Sequence, residues 1–242
     1  MFTAIVCKPA AVLELAYRAD SNSAAREGLW VRVPPAVPDN DHPVGCRATP
    51  PAVDACLDSD LGSSYVHLLG LYPGDGNLSV GRRGVWRLRI TLDVRYPGII
   101  AGAQQSAASV ARHPSALVQR SGCVDVSNYW KHWPCAFPQH GTNPKHLRPI
   151  RLEGWQMDLI RAEPRAFLAG LIESDGTRCM NRVRGYAYPR YFFTNLSSDI
   201  RALFVWACSL VGVDCRTDGP RNISVARRDS VAILDAFVGP KG

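Results

Sequence analysis

The sequence predicts an α+β fold made of two pseudo-symmetric αββαββα units, each carrying its own antiparallel sheet. The first observation behind this is a repeat. Leu68-Leu69-Gly70-Leu71-Tyr72-Pro73-Gly74-Asp75-Gly76 matches Leu168-Ala169-Gly170-Leu171-Ile172-Glu173-Ser174-Asp175-Gly176 position by position, at an offset of 100 residues. The second is that the same order of elements follows each copy. The third is the run Trp86-Arg87-Leu88-Arg89-Ile90-Thr91-Leu92, whose strict alternation is the period of a half-buried strand.

In order along the first unit, the repeat segment itself reads as a helix. A strand pair over 77–92, a helix over 96–112, a strand pair over 116–129 and a short helical stretch over 132–137 follow it. The second unit repeats this with strands over 177–184 and 189–195, a helix over 197–211, strands over 214–218 and 222–227 and a helix over 229–238. Ser197 and Asp199 offer side-chain caps to the 197–211 helix, and Gly212 stands where that helix stops. The units are expected over 61–150 and 151–242. Residues 1–60 read as an N-terminal extension or linker, with prolines at 34, 35, 38, 43, 50 and 51 among acidic residues and an expected helical stretch within 10–29.

Composition narrows the function classes. At 46% hydrophobic and 20% charged residues, the chain reads as globular, without any run of the roughly 18 apolar residues that a membrane span needs. The start has no basic region before its short apolar run, so no secretory signal is indicated and a cytoplasmic location is expected. The eight cysteines form no C-x-x-C pair, which argues against a zinc site and for mostly buried, reduced thiols. The histidines show no metalloprotease spacing. A net charge of +7 favours a polyanionic partner, and nearly all of the basic residues are arginine: Lys8, Lys131, Lys145 and Lys241 are the lysines.

The repeat also carries the chemistry. Small residues four apart, Gly70 with Gly74 and Gly170 with Ser174, give each helix a stripe where another backbone can approach, so the two helices are expected to pack on each other. Each then ends in Asp-Gly, with glycine read as the left-handed stop. This brings Asp75 and Asp175 together at the ends of the pair. Two carboxylates at the negative ends of helix dipoles need positive charge nearby, and such a pair suits Mg²⁺ or Mn²⁺, which takes a few carboxylate oxygens and keeps water or phosphate for the rest.

These nine-residue segments resemble the motif of the LAGLIDADG homing endonucleases, the second copy more closely. The resemblance spans roughly residues 65–238. It implies a monomer whose motif helices form the interface between pseudo-symmetric halves, with two saddle-shaped antiparallel sheets straddling double-stranded DNA. It also implies metal-dependent hydrolysis of phosphodiester bonds, and the family's metal-binding acid, the eighth motif residue, falls on Asp75 and Asp175. The stretches Leu69-Gly70-Leu71-Tyr72, Gly74-Asp75-Gly76 and Lys131-His132-Trp133-Pro134 resemble actinobacterial members, which implies a bacterial, nucleoid-associated protein. Pro73, at the sixth motif position, departs from the pattern. It removes a helix hydrogen bond at a cost of about 3 kcal/mol and is expected to kink the helix and displace Asp75. Glu173 holds the matching place in the second copy.

The expected DNA-facing surface follows from strand alternation. With Leu88, Ile90 and Leu92 inward, Arg87, Arg89 and Thr91 face outward, joined by Asn77 and Ser79 and by Arg82 and Arg83 in the turn. The second unit offers Thr177, Cys179, Asn181 and Arg190, the last aligned with Arg87, with Arg182 and Arg184 near the turn. Arg216, Asn222, Ser224 and Arg227 extend it. A two-stranded ribbon fits the major groove, where arginine reads guanine and asparagine reads adenine. Lys131 and His132 are expected either near the reacting phosphate or in a Trp/His cluster at the edge of the unit. The alternative on the same scaffold is a DNA-binding regulator without cleavage, or a maturase-like RNA-binding protein, because fold does not fix function.

Overall fold

The computed structural model describes residues 59–241. All but the last two residues of the expected N-terminal extension, including its helical stretch, lie outside them. Two helices with the repeat sequence, α1 (Ser59–Asp75) and α5 (Pro164–Asp175), each lead directly into a strand. The first unit continues with β1 (Gly76–Val80), β2 (Trp86–Asp93), α2 (Pro97–Ala111), β3 (Ala116–Arg120), β4 (Cys123–Trp130) and the short α3 (Trp133–Ala136). A connecting helix α4 (Gly154–Ala162) precedes α5. The second unit follows with β5 (Gly176–Val183), β6 (Tyr186–Thr194), α6 (Ser198–Leu210), β7 (Arg216–Thr217), β8 (Asn222–Val225) and α7 (Arg228–Asp235).

The two four-stranded sheets have the same antiparallel order, β1-β2-β4-β3 and β5-β6-β8-β7. This is the expected αββαββα arrangement, twice. Alternation in β2 works as anticipated, with Leu88, Ile90 and Leu92 buried in the core. The hairpin between β5 and β6 closes through Arg184 and Gly185, at φ 51° and 83°, the pair of positive values that a two-residue turn matched to strand twist requires. Ser197 caps α6 by accepting from the Ile200 amide at 3.4 Å, and Gly212 (φ 73°) follows its end.

The motif helices cross at their glycines. A Cβ on Gly70 would lie 2.3 Å from the Phe167 carbonyl oxygen, and one on Gly170 would lie 2.3 Å from that of His67. The two backbones are therefore in direct contact, and apolar side chains from both units join one continuous core. Glycine at the motif ends has a different role from the one expected. Gly176 is extended (φ −92°, ψ 161°), and Gly76 is not among the positive-φ residues. A Cβ there would strike the helix's own main chain, at Tyr72 Cα (2.6 Å) or Ile172 Cα (2.7 Å). Space as the chain turns from helix into strand, rather than left-handed backbone, demands glycine.

Sequence periodicity did not single out α4. It is tied to the first unit by Gln156, whose amide donates to the Tyr65 hydroxyl (2.7 Å), while Tyr65 donates to the Ala136 carbonyl (2.6 Å). The Ile150 amide donates to Asp199 Oδ2 at 2.8 Å, joining the same connection to the second unit. Cys123, Cys179, Cys208 and Cys215 are free thiols, as expected, and Cys135, which is disulfide-bonded, is the exception. Among the described residues no helix is long and apolar enough to cross a membrane.

Candidate functional site

Where α1 and α5 end, the two motif aspartates converge. α1 continues through Pro73 to Asp75, so the expected displacement of this acid does not occur. Proline three residues from a helix end forgoes a single ladder bond, to the Leu69 carbonyl, and separately the end-of-helix carbonyls of Tyr72 and Gly74 accept from Lys145 Nζ at 2.5 and 3.1 Å. A Cβ on Gly74 would lie 2.7 Å from Asp175 Oδ2, which places the second acid against the last turn of the first helix. Asp175 in turn accepts from Asn195 Nδ2 at 2.7 Å.

Burial, and then the negative charge of Asp175, push the Asp75 carboxyl up to about 6, against the opposing pull of Lys145 and Lys241. Burial also raises Asp175, while the Asn195 hydrogen bond and the same two lysines hold it down. Lys145 is pushed down to about 8, chiefly by burial, although both aspartates favour its charge. Lys241, likewise lowered by burial, donates to the Ser174 carbonyl at 3.3 Å. Each motif helix thus ends in a carboxylate, with a lysine from beyond the last strand of its own unit on its terminal carbonyls. This is the positive compensation that two helix C-termini require.

Sequence reasoning overlooked these lysines in favour of Lys131 and His132, and placed Arg227 on the sheet surface. Lys131 is exposed, His132 packs edge-on to Trp130 (5.1 Å between ring centroids), and Arg227 pairs with Asp214 at 2.5 Å. A usable signal was present: in an arginine-rich chain, two of the four lysines lie 96 positions apart, close to the repeat offset. Asn195 and Arg148 had no such signal. Arg148 donates to the carbonyls of Gln139 and Asn143 and fixes the loop that carries Lys145.

Asp175, with Gly74 and Gly76 on either side of Asp75, borders a cleft of about 550 Å³. Its walls include Asn77 from β1, Thr194 from β6, Lys145, Arg148, Asp175 and Asn195, so the outer faces of both sheets meet there. On the first sheet, register sets Asn77 opposite Arg89 and Ser79 opposite Arg87, with Thr91 on the same face. Arg82 and Arg83 are exposed in the turn. On the second, Thr177, Cys179 and Asn181 lie opposite Phe192, Arg190 and Tyr188 on one face, which Ser224, Arg216 and Asn222 extend. Arg184 is exposed at the hairpin tip. Arg182, expected to share the DNA-facing surface, alternates with Asn181 and so projects from the other face, beside Ala187.

Asp75 and Asp175 supply two hard oxygen donors held together against mutual repulsion, a set that fits Mg²⁺ or Mn²⁺ completed by water and phosphate oxygens. Among the described residues no group of three or more His, Cys, Asp or Glu side chains is placed to hold a metal alone.

No protein-family model matches the chain, and no curated protein matches it. Among solved structures, it is similar to the N-terminal LAGLIDADG domain of WhiA at 12% identity and a TM-score of 0.45, covering 78% of this chain and 87% of that one. It is similar to I-DmoI in complex with its target DNA in the presence of Mn at 18% identity and a TM-score of 0.48, covering 76% and 100% of the two chains. It is also similar to the homing endonuclease I-WcaI bound to its DNA recognition sequence at 10% identity and a TM-score of 0.48, covering 82% and 91%.

Proposed function

We propose that this protein is a site-specific endonuclease that hydrolyses phosphodiester bonds in double-stranded DNA, acting as a pseudo-symmetric monomer with Mg²⁺ or Mn²⁺. The observation that carries the reading is the convergence of Asp75, Asp175, Lys145 and Lys241 beside a cleft where two arginine-bearing sheet faces meet. The sheet faces attract and orient the duplex, whose backbone then passes the motif-helix ends. Asp75 and Asp175 would hold the cation, which would supply Lewis-acid polarisation of the phosphate and of an attacking water. Lys145 and Lys241 place positive charge where the transferring phosphoryl group gains negative charge. Lys145, held near a pKa of about 8, can also exchange a proton at neutral pH.

The test is a cleavage assay in Mg²⁺ on duplexes from the DNA flanking the gene. Asp175→Asn is expected to abolish strand scission and leave DNA affinity within a few-fold; unaltered turnover sinks the metal assignment. A second reading, a DNA-binding regulator without cleavage, draws on the same lysines, because they already supply counter-charge to the acids. Binding that survives EDTA, with no nicking in Mg²⁺ or Mn²⁺, selects it.

A further inference from the structure

Two arginines, one per sheet, are held in a way that the other basic residues of these faces are not. Arg87 donates from Nε and Nη2 to Ser127 Oγ at 3.2 and 2.7 Å, lies 3.8 Å from Asp125 Oδ2, and has its guanidinium 5.9 Å from the centroid of Tyr129. Arg190 donates from Nη2 to Ser224 Oγ at 2.7 Å and to Asp218 Oδ2 at 3.0 Å, and its guanidinium lies 3.9 Å from the centroid of Phe192. Arginine, serine, aspartate and an aromatic ring recur in both.

Register makes the two arginine–serine pairs equivalent, while the acid and the ring come from β4 in the first sheet and from the segment after β7 and from β6 itself in the second. Ser127 pairs with Arg89, and Arg87 lies two residues before that partner on β2. Ser224 pairs with Phe192, and Arg190 lies two residues before that partner on β6. Both arginines therefore reach diagonally across to the same hydroxyl position of the neighbouring inner strand.

A carboxylate inside a surface that faces a polyanion weakens the general attraction to phosphate. Asp125 is an extreme case: its side chain is 1% exposed, and it also accepts from Arg120 Nε (2.6 Å) and Thr91 Oγ1 (2.8 Å). Such an acid contributes orientation rather than charge. In Arg87, whose Nε and Nη2 are anchored on Ser127, the Nη1–Nη2 edge stays free in one plane and direction, the condition for the bidentate bond to guanine O6 and N7; Arg190, whose Nη2 serves both Ser224 and Asp218 and whose Nε is buried without a partner among the described residues, keeps Nη1 for a single bond to a base. Arg82 and Arg83, exposed and without an ion pair among the described residues, have the freedom suited to phosphate contacts.

We propose that Arg87 and Arg190 are equivalent base-reading residues, each positioned by its Ser–Asp pair (Ser127 with Asp125, Ser224 with Asp218), and that they select a guanine at matching positions of the two half-sites, on opposite strands. This rests on the chain binding double-stranded DNA, and the experiment separates failure of the two ideas. The full chain is used to enrich a randomised duplex library in EDTA. Expected is a site with two guanines on opposite strands, equidistant from its centre. Arg87→Lys loses roughly tenfold discrimination at one guanine and Arg190→Lys at the other. Ser127→Ala and Asp125→Asn relax the same guanine as Arg87→Lys, a positional signature that general destabilisation does not produce. If both arginine variants weaken binding to every duplex equally and flatten its salt dependence, the residues are phosphate contacts and the proposal falls. If Asp125→Asn fails to fold, Ser127→Ala and the Arg190 variant decide alone. Absence of salt-dependent binding of the parent chain to any duplex overturns the underlying reading instead.

Discussion

Replacing Gly170 by alanine tests the helix crossing that brings the two acids together. The new Cβ would meet the His67 carbonyl oxygen at 2.3 Å, the Leu71 nitrogen at 2.8 Å and the Gly70 carbonyl carbon at 3.0 Å, all of them main-chain atoms. Unstrained carbon–oxygen approaches are about 3.3–3.6 Å, so the shortfall is roughly 1 Å. No side-chain rotation can relieve it, so the helices must part. Overpacking costs about 1–3 kcal/mol, with backbone clashes expected at the upper end, while alanine returns up to about 1 kcal/mol of helix propensity. The net loss is about 2 kcal/mol, or a fall in Tm of roughly 4–8 °C for a chain of this size. Gly102→Ala in α2 is the control, because its Cβ meets only His67 Cε1 at an ordinary 3.7 Å. That variant should gain about 0.5–1 kcal/mol. Gly70→Ala combined with Gly170→Ala should cost less than the sum of the two, because once the helices separate the second methyl finds room. Thermal melts followed by circular dichroism give all four values. A Gly170→Ala protein melting at or above the parent would refute the close crossing.

The elevated Asp75 pKa has a defined sign. The folded state binds this proton more tightly than the unfolded chain, so the contribution of Asp75 favours folding at acid pH and is lost as pH rises from about 4 through about 6. Asp75→Asn should flatten that limb and raise the urea midpoint at pH 7.5 relative to the parent; identical profiles would remove the like-charge contact. Lys145 works in the opposite direction: its lowered pKa penalises the charged amine below about 8, so stability should rise between about pH 8 and 10, and Lys145→Met should erase the rise in the same titration. His67 Nε2 lies 2.6 Å from Glu173 Oε2, an ion-pair geometry that joins α1 to α5 where the pseudo-symmetric positions hold Phe167 and Pro73. His67→Leu should cost about 1–3 kcal/mol by leaving Glu173 without that partner, and no change in chemical denaturation would count against the pairing. Arg82→Ala with Arg83→Ala should lower the slope of log affinity against log salt by about 2, measured by fluorescence anisotropy on any duplex, and a constant slope would place that turn away from DNA.

Much of the fold was legible because its signals are local. The repeat, the alternation of Leu88, Ile90 and Leu92, the Ser197 cap and the Gly212 stop each depend on a few neighbouring residues, and each corresponds to an observed feature. The small residues at Gly70 and Gly170 announced a helix contact, although the demand for glycine at 76 and 176 proved to be spatial rather than conformational. The β7 and β8 strands came out shorter than alternation suggested, and α4 went unrecognised because Gln156 and Trp155 are ordered by partners such as Tyr65, far away in sequence.

By itself, then, the sequence determined what a repeating local code can specify: two equivalent units, a helix pair close enough to touch, and two aspartates at its end. Only the tertiary structure decided which cations answer those acids, that Pro73 leaves Asp75 in place, that Arg182 turns away from Asn181, and that Asp125 pairs with Arg120 and Arg87 and Asp218 with Arg190. The physical reason is range. Periodicity and capping act over a turn or a strand, whereas charge compensation and hydrogen bonding join groups that come close only after the chain has folded.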